Sequence, residues 1–358
     1  MKEELSRLDS IYNLKKQYKK VWKDKCSEYS KKPPSHIIKQ VPKRIIVIGD
    51  LHGDYQKTIE MLRISKLIDK DKNWIGGDTI VVQLGDQIDR CRLDRGVCTN
   101  EGATLNDEAS DMKILYLMTE LHNQAEKLGG AVYSIMGNHE LMNVQGDFRY
   151  VSRKNILEFS KDGSIESGMK ERENQFKPGN KIANFLACTR LLSLVIGPYL
   201  FVHAGIVPEI AKNYNVNDMN HILALYLFDN LDGNEFKDLL VSSNSPMWNR
   251  TIGNLNVQTK IDNVNTYCDS LFDDEIQSNL FGSEHKIKRV FVGHTPQIFK
   301  GINSTCNNRV WYVDIGVSKA FDSFDNDLQY KGVISENRKS QVIEILNSNG
   351  EETINIIK

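Results

Sequence analysis

A short motif of acidic and basic residues follows the first apolar run of the chain. Residues 49–54 read GDLHGD, directly after the run RIIVI, so Asp50, His52 and Asp54 stand on a glycine-containing turn at the end of a predicted strand. Carboxylates and imidazoles so placed can hold a metal ion or move a proton. Asp54 has a second interpretation, as the N-cap of the following helix, which we favour because Asp is a preferred N-cap residue.

Four more apolar runs are followed at once by polar motifs. They are TIVVQL at 79–84 before GDQIDR, AVYSIM at 131–136 before GNHE, YLFV at 199–202 before HAG, and RVFV at 289–292 before GHT. Such runs are typical of buried strands, and ligands in layered α/β folds gather at the carboxyl ends of strands. One motif alone is weak evidence, but five at strand ends predict a single site. The side chains delivered there are Asp50, His52, Asp86, Asp89, Arg90, Asn138, His139, His203 and His294.

The types of these side chains narrow the chemistry. Carboxylates, imidazoles and one amide, without a thiolate, suit divalent ions such as Mn, Fe or Zn. So many oxygen and nitrogen donors exceed what one four-coordinate zinc ion accepts, so we expect two ions. We predict that Asp86 bridges them, at the separation of about 3.5 to 4 Å that two-metal sites require.

The five motifs, in this order, resemble those of the phosphoprotein phosphatase branch of the calcineurin-like metallophosphoesterases. The resemblance spans roughly residues 44–320. More narrowly, LMNVQGDFRYV after GNHE, SPMWNR at 245–250 and VDIGVSKAFD at 313–322 are similar to the Shewanella-like protein phosphatases. The resemblance implies a layered α/β/β/α sandwich of two mixed sheets flanked by helices.

The same resemblance implies a role for each side chain. It implies that one metal binds Asp50, His52 and Asp86, and that the other binds Asp86, Asn138, His203 and His294. It implies that Arg90 and Arg250 contact the phosphate, and that His139, oriented by Asp89, protonates the leaving group. The residue types agree, since arginine forks bind two phosphoryl oxygens and a paired imidazole can donate a proton.

The predicted reaction is therefore hydrolysis of a phosphomonoester by in-line attack of a metal-bridging hydroxide, because two ions lower the pKa of a shared water toward about 7. The predicted substrate is a phosphoprotein or phosphopeptide carrying phosphotyrosine or phosphoserine/threonine. The alternative is a phosphodiesterase or dinucleoside-polyphosphate hydrolase using the same two metals. A third interpretation, a non-catalytic binding module, has no support because every predicted ligand is present.

Composition places the chain among ordinary globular proteins. It has 358 residues, of which 40% are hydrophobic and 26% charged. No apolar run approaches the roughly 18 residues of a membrane-spanning helix, so we expect no membrane partner and a cytoplasmic location. The six cysteines are widely spaced, which favours reduced thiols over a disulfide framework. Cys91 and Cys98 are close enough to pair, but we favour two unrelated thiols.

The N-terminal segment is basic, with 13 Lys or Arg and 5 Asp or Glu in residues 1–44. We favour a helix that docks an apolar stripe on the body, with a nucleic-acid-binding arm as the alternative. The stripe consists of Leu5, Leu8, Ile11, Tyr12, Tyr18, Val21 and Trp22. We expect residues 1–43 to form this helix and its linker, which contains KKPP, and residues 44–358 to form the catalytic domain.

Helical patterns alternate with the strands, which favours α/β layers. They cover about 55–67, 106–128, 139–144, 180–191, 218–230 and 234–241. VWYVDI, SQVIEIL and ETINIIK near the C-terminus predict strands with antiparallel pairing. Segments 146–179 and 211–288 are expected to form a lid beside the site, with GSIESGMK at 163–170 as a mobile loop. Arg149 is either a substrate contact or a surface ion pair, and Trp248 is expected to pack beside Arg250.

Overall fold

The protein, in a computed structural model, is built on two mixed six-stranded sheets. The structure describes residues 2–29, 33–231, 236–255, 264–282, 286–323, 335–348 and 350–358, with side chains from residue 13. The strands are β1 (Ile37–Ile38), β2 (Arg44–Ile48), β3 (Ile80–Gln83), β4 (Ala131–Ile135), β5 (Arg190–Leu191), β6 (Ser193–Ile196), β7 (Tyr199–Val202), β8 (Arg289–Val292), β9 (Asn303–Thr305), β10 (Val310–Tyr312), β11 (Val342–Ser348) and β12 (Glu351–Ile357). The strand orders are β1-β6-β7-β8-β10-β9 and β12-β11-β2-β3-β4-β5.

Helices flank these sheets, so the predicted fold class is confirmed. The helices are α1 (Lys2–Lys25), α2 (Tyr55–Ile64), α3 (Asp111–Glu126), α4 (Asn138–Val144), α5 (Arg153–Leu157), α6 (Ile165–Phe176), α7 (Lys181–Thr189), α8 (Pro208–Ala211), α9 (Val216–Leu227), α10 (Lys237–Leu240), α11 (Val264–Leu271) and α12 (Asp274–Phe281). The predicted helix at 234–241 lies partly outside the described residues, since 232–235 are not described.

Parallel pairing explains why the polar motifs meet. β2, β3 and β4 run parallel in one sheet, with Ile45 opposite Ile80 and Ile80 opposite Ala131. β7 and β8 run parallel in the other sheet, where Phe201 and Phe291 stack with ring centroids 5.1 Å apart. One hydrophobic cluster joins residues of both sheets. The carboxyl ends of all five strands therefore lie at one edge of the sandwich.

The N-terminal helix docks on the body, as predicted for Tyr18 and Trp22. Both are 4% exposed and belong to the same core cluster as Val202 and Val292. Leu14, which the predicted stripe omitted, is buried with them. The stripe's Leu5, Leu8, Ile11 and Tyr12 lie outside the described side chains. Among the described residues, no helix is long and apolar enough to cross a membrane.

The prediction of reduced thiols is wrong. All six cysteines form disulfides, which join Cys26 to Cys188, Cys91 to Cys98 and Cys268 to Cys306. The first bond ties the residue after α1 to α7, at a sequence separation of 162. Spacing along the chain could not show this pairing, because the fold brings distant residues together. The cysteines therefore no longer support a reducing compartment.

Two segments outside the site test the prediction of local structure. Residues 163–170, expected to form a mobile loop, instead begin α6, because Ser164 caps this helix by accepting from the Ser167 amide at 3.1 Å. Phe176 at its end is fully buried. The antiparallel C-terminal pairing is confirmed, since Ile343 of β11 lies opposite Ile356 of β12.

Candidate active site

Six of the predicted side chains converge where the five strands end. Each is at most 5% exposed, and they are Asp50, His52, Asp86, Asn138, His203 and His294. They come from the turns after β2, β3, β7 and β8 and from the first residue of α4. Asp54 is not among the converging groups, because it caps α2 by accepting from the Lys57 amide at 3.0 Å, as predicted.

Asp86 stands between two groups of possible ligands. Its Oδ2 lies 3.7 Å from His52 Nε2 and 3.4 Å from His203 Nε2. His294 Nδ1 is 3.2 Å from the same His203 nitrogen. One group consists of Asp86, His52 and His139, and the other of Asp86, His203 and His294. Within each group the possible ligand atoms lie within 4.8 Å of one another. This placement suits a carboxylate shared by two cations.

Backbone carbonyls orient two of the imidazoles. His203 Nδ1 donates to the Leu84 carbonyl at 2.7 Å, so its Nε2 presents a lone pair to the cluster. His294 Nε2 donates to the Trp248 carbonyl at 3.1 Å, so its Nδ1 does the same. Metal-ligating histidines typically donate their other ring nitrogen in this way. The residues present therefore fit divalent metal ions.

Glycines and strained turns bring the ligands this close. A Cβ on Gly137 would lie 2.1 Å from Asp86 Oδ1, and one on Gly293 would lie 2.2 Å from Asp50 Oδ1. His52, Asp86 and His294 have positive φ values of 42°, 49° and 65°. Residues other than glycine rarely adopt this left-handed backbone region. The conformation costs about 1 to 3 kcal/mol, so it persists only where surrounding contacts impose it.

Glu140, the last residue of GNHE, supplies such contacts. It is fully buried, and its carboxylate accepts from the Gly137 amide at 2.8 Å, the Asp86 amide at 3.0 Å and the Gln87 amide at 2.7 Å. One side chain thus fixes the start of α4 and the turn after β3. The sequence signal was available, because Glu at the third position of a helix commonly reaches back to its start.

His139 and Asp89 form the predicted hydrogen-bonded pair. His139 Nδ1 donates to Asp89 Oδ2 at 2.8 Å, and His139 Nε2 lies 3.9 Å from Asp86 Oδ2. Asn143 Nδ2 donates to the other Asp89 oxygen at 2.9 Å. The carboxylate thereby fixes the imidazole, whose Nε2 is the nitrogen left to exchange a proton with a bound molecule.

A buried ion pair lies behind this pair of residues. Arg172 Nη2 is 2.8 Å from Asp111 Oδ2, and both side chains are fully buried. Arg172 Nε also donates to Asn143 Oδ1 at 2.8 Å. Asn143 therefore connects the ion pair to Asp89. Sequence analysis missed both members, because an arginine on a helix carries no sign of burial by itself.

The structure places Arg250 at the site but not Arg90. Arg250 Nη1 donates to the His294 carbonyl at 3.3 Å. The Arg90 side chain is 1% exposed, and its Nη1 donates to the Gly53 carbonyl at 3.1 Å and to Glu108 at 2.8 Å. Arg90 is absent from the lining of the cavity described below, and its Nε and Nη2 have no hydrogen-bond partner among the described residues. Its predicted contact with a phosphate therefore stays a prediction.

A cavity of about 370 Å³ opens over the cluster. Polar groups and aromatic side chains both line it. Its lining consists of His52, Asp86, Arg92, Asn138, His139, Met142, Asp147, Arg149, Tyr150, Trp248, Arg250, His294, Pro296 and Phe321. Arg149 stands in the lining and also pairs with Asp147 at 2.7 Å, with 60% of its side chain exposed. Trp248 and Arg250 both stand in this lining.

Carboxyl groups are crowded beneath this cavity. Burial, Asp314 and Asp86 raise the pKa of Asp50 well above its ordinary value. Burial alone would raise the pKa of Asp86 too, but His203 and His139 outweigh burial and hold it well below its ordinary value. Bound cations would relieve this crowding of like charges.

Asp314 is a further buried acid that the sequence analysis overlooked. It is 1% exposed, and its Oδ1 accepts from the Gly316 amide at 2.8 Å. Within the described residues, its Oδ2 has no hydrogen-bond partner. The signal was the one used elsewhere, since Asp314 follows the apolar run of β10.

Comparisons with known proteins identify a family and several relatives. The family model described as calcineurin-like phosphoesterase matches residues 43–297. An uncharacterised protein of Acanthamoeba polyphaga mimivirus is 39% identical, over 57% of this chain and 88% of its own length. Shewanella-like protein phosphatase 2 of Arabidopsis thaliana is 29% identical, over 78% of this chain and 72% of its own length.

The fold also matches a solved structure. The cold-active protein-tyrosine phosphatase of a psychrophilic Shewanella species superimposes with a TM-score of 0.62 at 21% identity, covering 92% of this chain and 84% of that chain. The family's divalent metals suit the donor set described above. The chain belongs to the calcineurin-like phosphoesterase family and is a metal-dependent phosphoesterase.

Proposed function

We propose that the protein is a phosphomonoesterase that binds two divalent metal ions and acts on phosphoprotein. The observation that carries this proposal is His139, which lines the cavity and donates a 2.8 Å hydrogen bond to the buried Asp89. A phosphomonoester with a poor leaving group needs a proton as its P–O bond breaks. His139 Nε2 is the group placed to donate it.

The proposed metal ligands are the six converging side chains. Asp50, His52 and Asp86 would hold one ion. Asp86 would also hold the other ion, together with Asn138, His203 and His294. When bound, the pair supplies an activated water at neutral pH and a positive field for the phosphoryl oxygens. We propose Mn, Fe or Zn, because the donors are oxygen and nitrogen without a thiolate.

The cavity walls favour an aryl phosphate. Tyr150, Trp248 and Phe321 line the cavity together with its polar groups, and aromatic walls suit the ring of a phosphotyrosine. Arg250, at the His294 side, would bind the phosphoryl oxygens. We therefore propose phosphotyrosine as the preferred residue, with phosphoserine and phosphothreonine as slower substrates. The tyrosine phosphatase activity named for the Shewanella relative supports this preference.

The alternative of a diester or dinucleoside-polyphosphate substrate has less support. The basic N-terminal segment favoured it, but none of the described residues of this segment lines the cavity. The acid His139 is most useful for a monoester whose leaving group is a poor one. The cytoplasmic location remains a prediction from the sequence.

A substrate panel tests the proposal. Metal-reconstituted protein would be assayed on one peptide sequence carrying phosphotyrosine, phosphoserine or phosphothreonine, on para-nitrophenyl and bis-para-nitrophenyl phosphate, and on a dinucleoside tetraphosphate. We expect monoester hydrolysis with phosphotyrosine fastest, and none by a His203→Asn variant that controls for contaminating phosphatases. Faster cleavage of bis-para-nitrophenyl phosphate or the tetraphosphate than of any monoester would overturn the proposal.

A further inference from the structure

Arg92, in the turn after β3, lines the cavity over the cluster, whereas Arg90 in the same turn does not. Arg92 lines the cavity with His52, Asp86 and His139, whereas Arg90 is absent from that lining. Both arginines follow Asp89 within the stretch DRCR. The chain thus carries two arginines where a phosphate contact is expected. They differ in that only Arg92 lines the cavity.

The position of Arg92 is set by contacts on several sides. Its Nη1 donates to the Asp89 carbonyl at 3.0 Å and to the Cys91 carbonyl at 2.7 Å. Its guanidinium carbon lies 4.4 Å from the ring centroid of Phe321 and 5.6 Å from that of Tyr150. Cation–π contacts of this kind favour one orientation of the planar group.

The backbone around Arg92 is also restrained. Cys91 and Cys98 form a disulfide that closes the short loop containing Arg92. The Cys91 amide donates to the Tyr150 carbonyl at 3.0 Å, which ties this loop to the cavity wall. A side chain held this firmly loses little conformational freedom when it binds a ligand.

Part of the guanidinium remains available to a ligand. Nη1 is bound to carbonyls, but within the described part of the chain no hydrogen bond occupies Nε or Nη2 of Arg92. The same two nitrogens of Arg90 also lack partners, but the Arg90 side chain is 1% exposed and does not line the cavity. In Arg92, Nε and Nη2 form one edge of the planar fork, which matches two oxygens of a phosphate. Phe321, which Arg92 contacts, also packs on His52 with ring centroids 5.3 Å apart. Arg92 therefore lies on the His52 side of the cavity, while Arg250 lies on the His294 side.

We propose that Arg92, rather than Arg90, is the catalytic arginine that binds the substrate phosphate together with Arg250. The inference rests on the proposed phosphomonoesterase function. Arg90 instead has a positioning role. Its contact with the Gly53 carbonyl joins the turns after β2 and β3, and Glu108, its ion-pair partner, also accepts from the Tyr55 amide at 2.8 Å.

The test compares variants of the full-length, metal-reconstituted protein. Arg92→Met removes the charge and keeps most of the stem, and Arg92→Lys keeps the charge but loses the fork. Arg95→Met is the matched control, because Arg95 is an exposed arginine of the same loop. The readouts are kcat and KM on para-nitrophenyl phosphate, the affinity for inorganic phosphate by calorimetry, and the bound metal content.

We expect Arg92→Met to lower kcat/KM about 100-fold and to weaken phosphate binding, with metal content unchanged. Arg92→Lys should fall between this variant and the wild type, and Arg95→Met should match the wild type. If Arg92→Met binds phosphate and turns over within threefold of the wild type, the assignment is overturned while the proposed function stands. A wild-type protein that neither binds phosphate nor hydrolyses any monoester would overturn both.

Arg90→Met gives an independent comparison. We expect this variant to lose thermal stability, because Glu108 loses its partner, and to retain the wild-type affinity for phosphate in the fraction that is folded. The assignment would be reversed if Arg90→Met abolished phosphate binding in folded protein and Arg92→Met did not.

Discussion

Replacing Arg172 by methionine should be strongly destabilising, although this residue touches no predicted ligand. The substitution removes a 2.8 Å ion pair with Asp111, a 2.8 Å hydrogen bond to Asn143 and a stack whose guanidinium carbon lies 4.8 Å from the Phe176 ring centroid. Methionine keeps much of the apolar contact. The main loss is therefore the charge partner of a fully buried carboxylate.

The size of the loss follows from that burial. Removing one member of a buried ion pair typically costs about 3 to 5 kcal/mol, because the other charge stays in the interior unpaired. Burial raises the pKa of Asp111 to about 7 although Arg172 opposes that rise. Without Arg172 this pKa moves higher. Above pH 7 the variant should therefore lose stability relative to the wild type, by up to about 1.4 kcal/mol per pH unit.

Urea unfolding at pH 6.5, 7.5 and 8.5 measures this cost. Lys161→Met on the neighbouring surface is a matched control, because the Lys161 side chain is 77% exposed and its pair with Glu171 should contribute at most about 1 kcal/mol. The double variant Arg172→Met/Asp111→Asn should recover part of the loss. The reasoning is refuted if Arg172→Met costs no more than Lys161→Met, or if its cost does not grow with pH.

Three further predictions concern the acid, a buried histidine and a disulfide. His139→Asn should retain metal but lose about 10²- to 10⁴-fold in kcat on a phosphopeptide and less on para-nitrophenyl phosphate; equal losses would exclude a proton donor. Burial lowers the pKa of His36 from about 6.5 to about 4. The free energy of unfolding should therefore fall by up to about 3 kcal/mol as the pH drops from 6.5 to 4, because the unfolded chain takes up the proton first. In His36→Gln the slope of the urea-unfolding free energy against pH should be shallower. Cys26→Ser should lower the free energy of unfolding by up to about 5 kcal/mol, given the separation of 162 residues from Cys188; free thiols in denatured, unreduced wild-type protein would contradict the pairing.

The sequence was most informative where a chemical group directly follows an apolar run. Asp50, Asp86 and His294 stand a few residues beyond β2, β3 and β8, and parallel pairing of buried strands brings such positions together without further information. The same logic would also have pointed to Asp314, which follows β10. The fold class and the convergence of the six polar groups could therefore be predicted.

What the sequence could not show depends on partners distant along the chain. Arg90 and Arg92 are two residues apart, and Glu108 together with the Gly53 carbonyl decides which of them is buried. The disulfide between Cys26 and Cys188 depends on how α1 docks against α7. Residue types and spacing predicted the chemistry, whereas tertiary contacts determine which arginine is available for it.

Backbone strain and like charge occur together at Asp86. Asp86 adopts a left-handed backbone, its carboxylate lies beside that of Asp50, and Glu140 holds its amide. In a metal-free fold the left-handed backbone and the neighbouring carboxylates cost free energy, and the hydrogen bonds that Glu140 accepts offset part of that cost. Cations bound between the carboxylates would stabilise the arrangement, because they bind the folded chain and not the unfolded one. Metal binding would therefore contribute most to the stability of the fold at the turns whose ligand residues have a left-handed backbone.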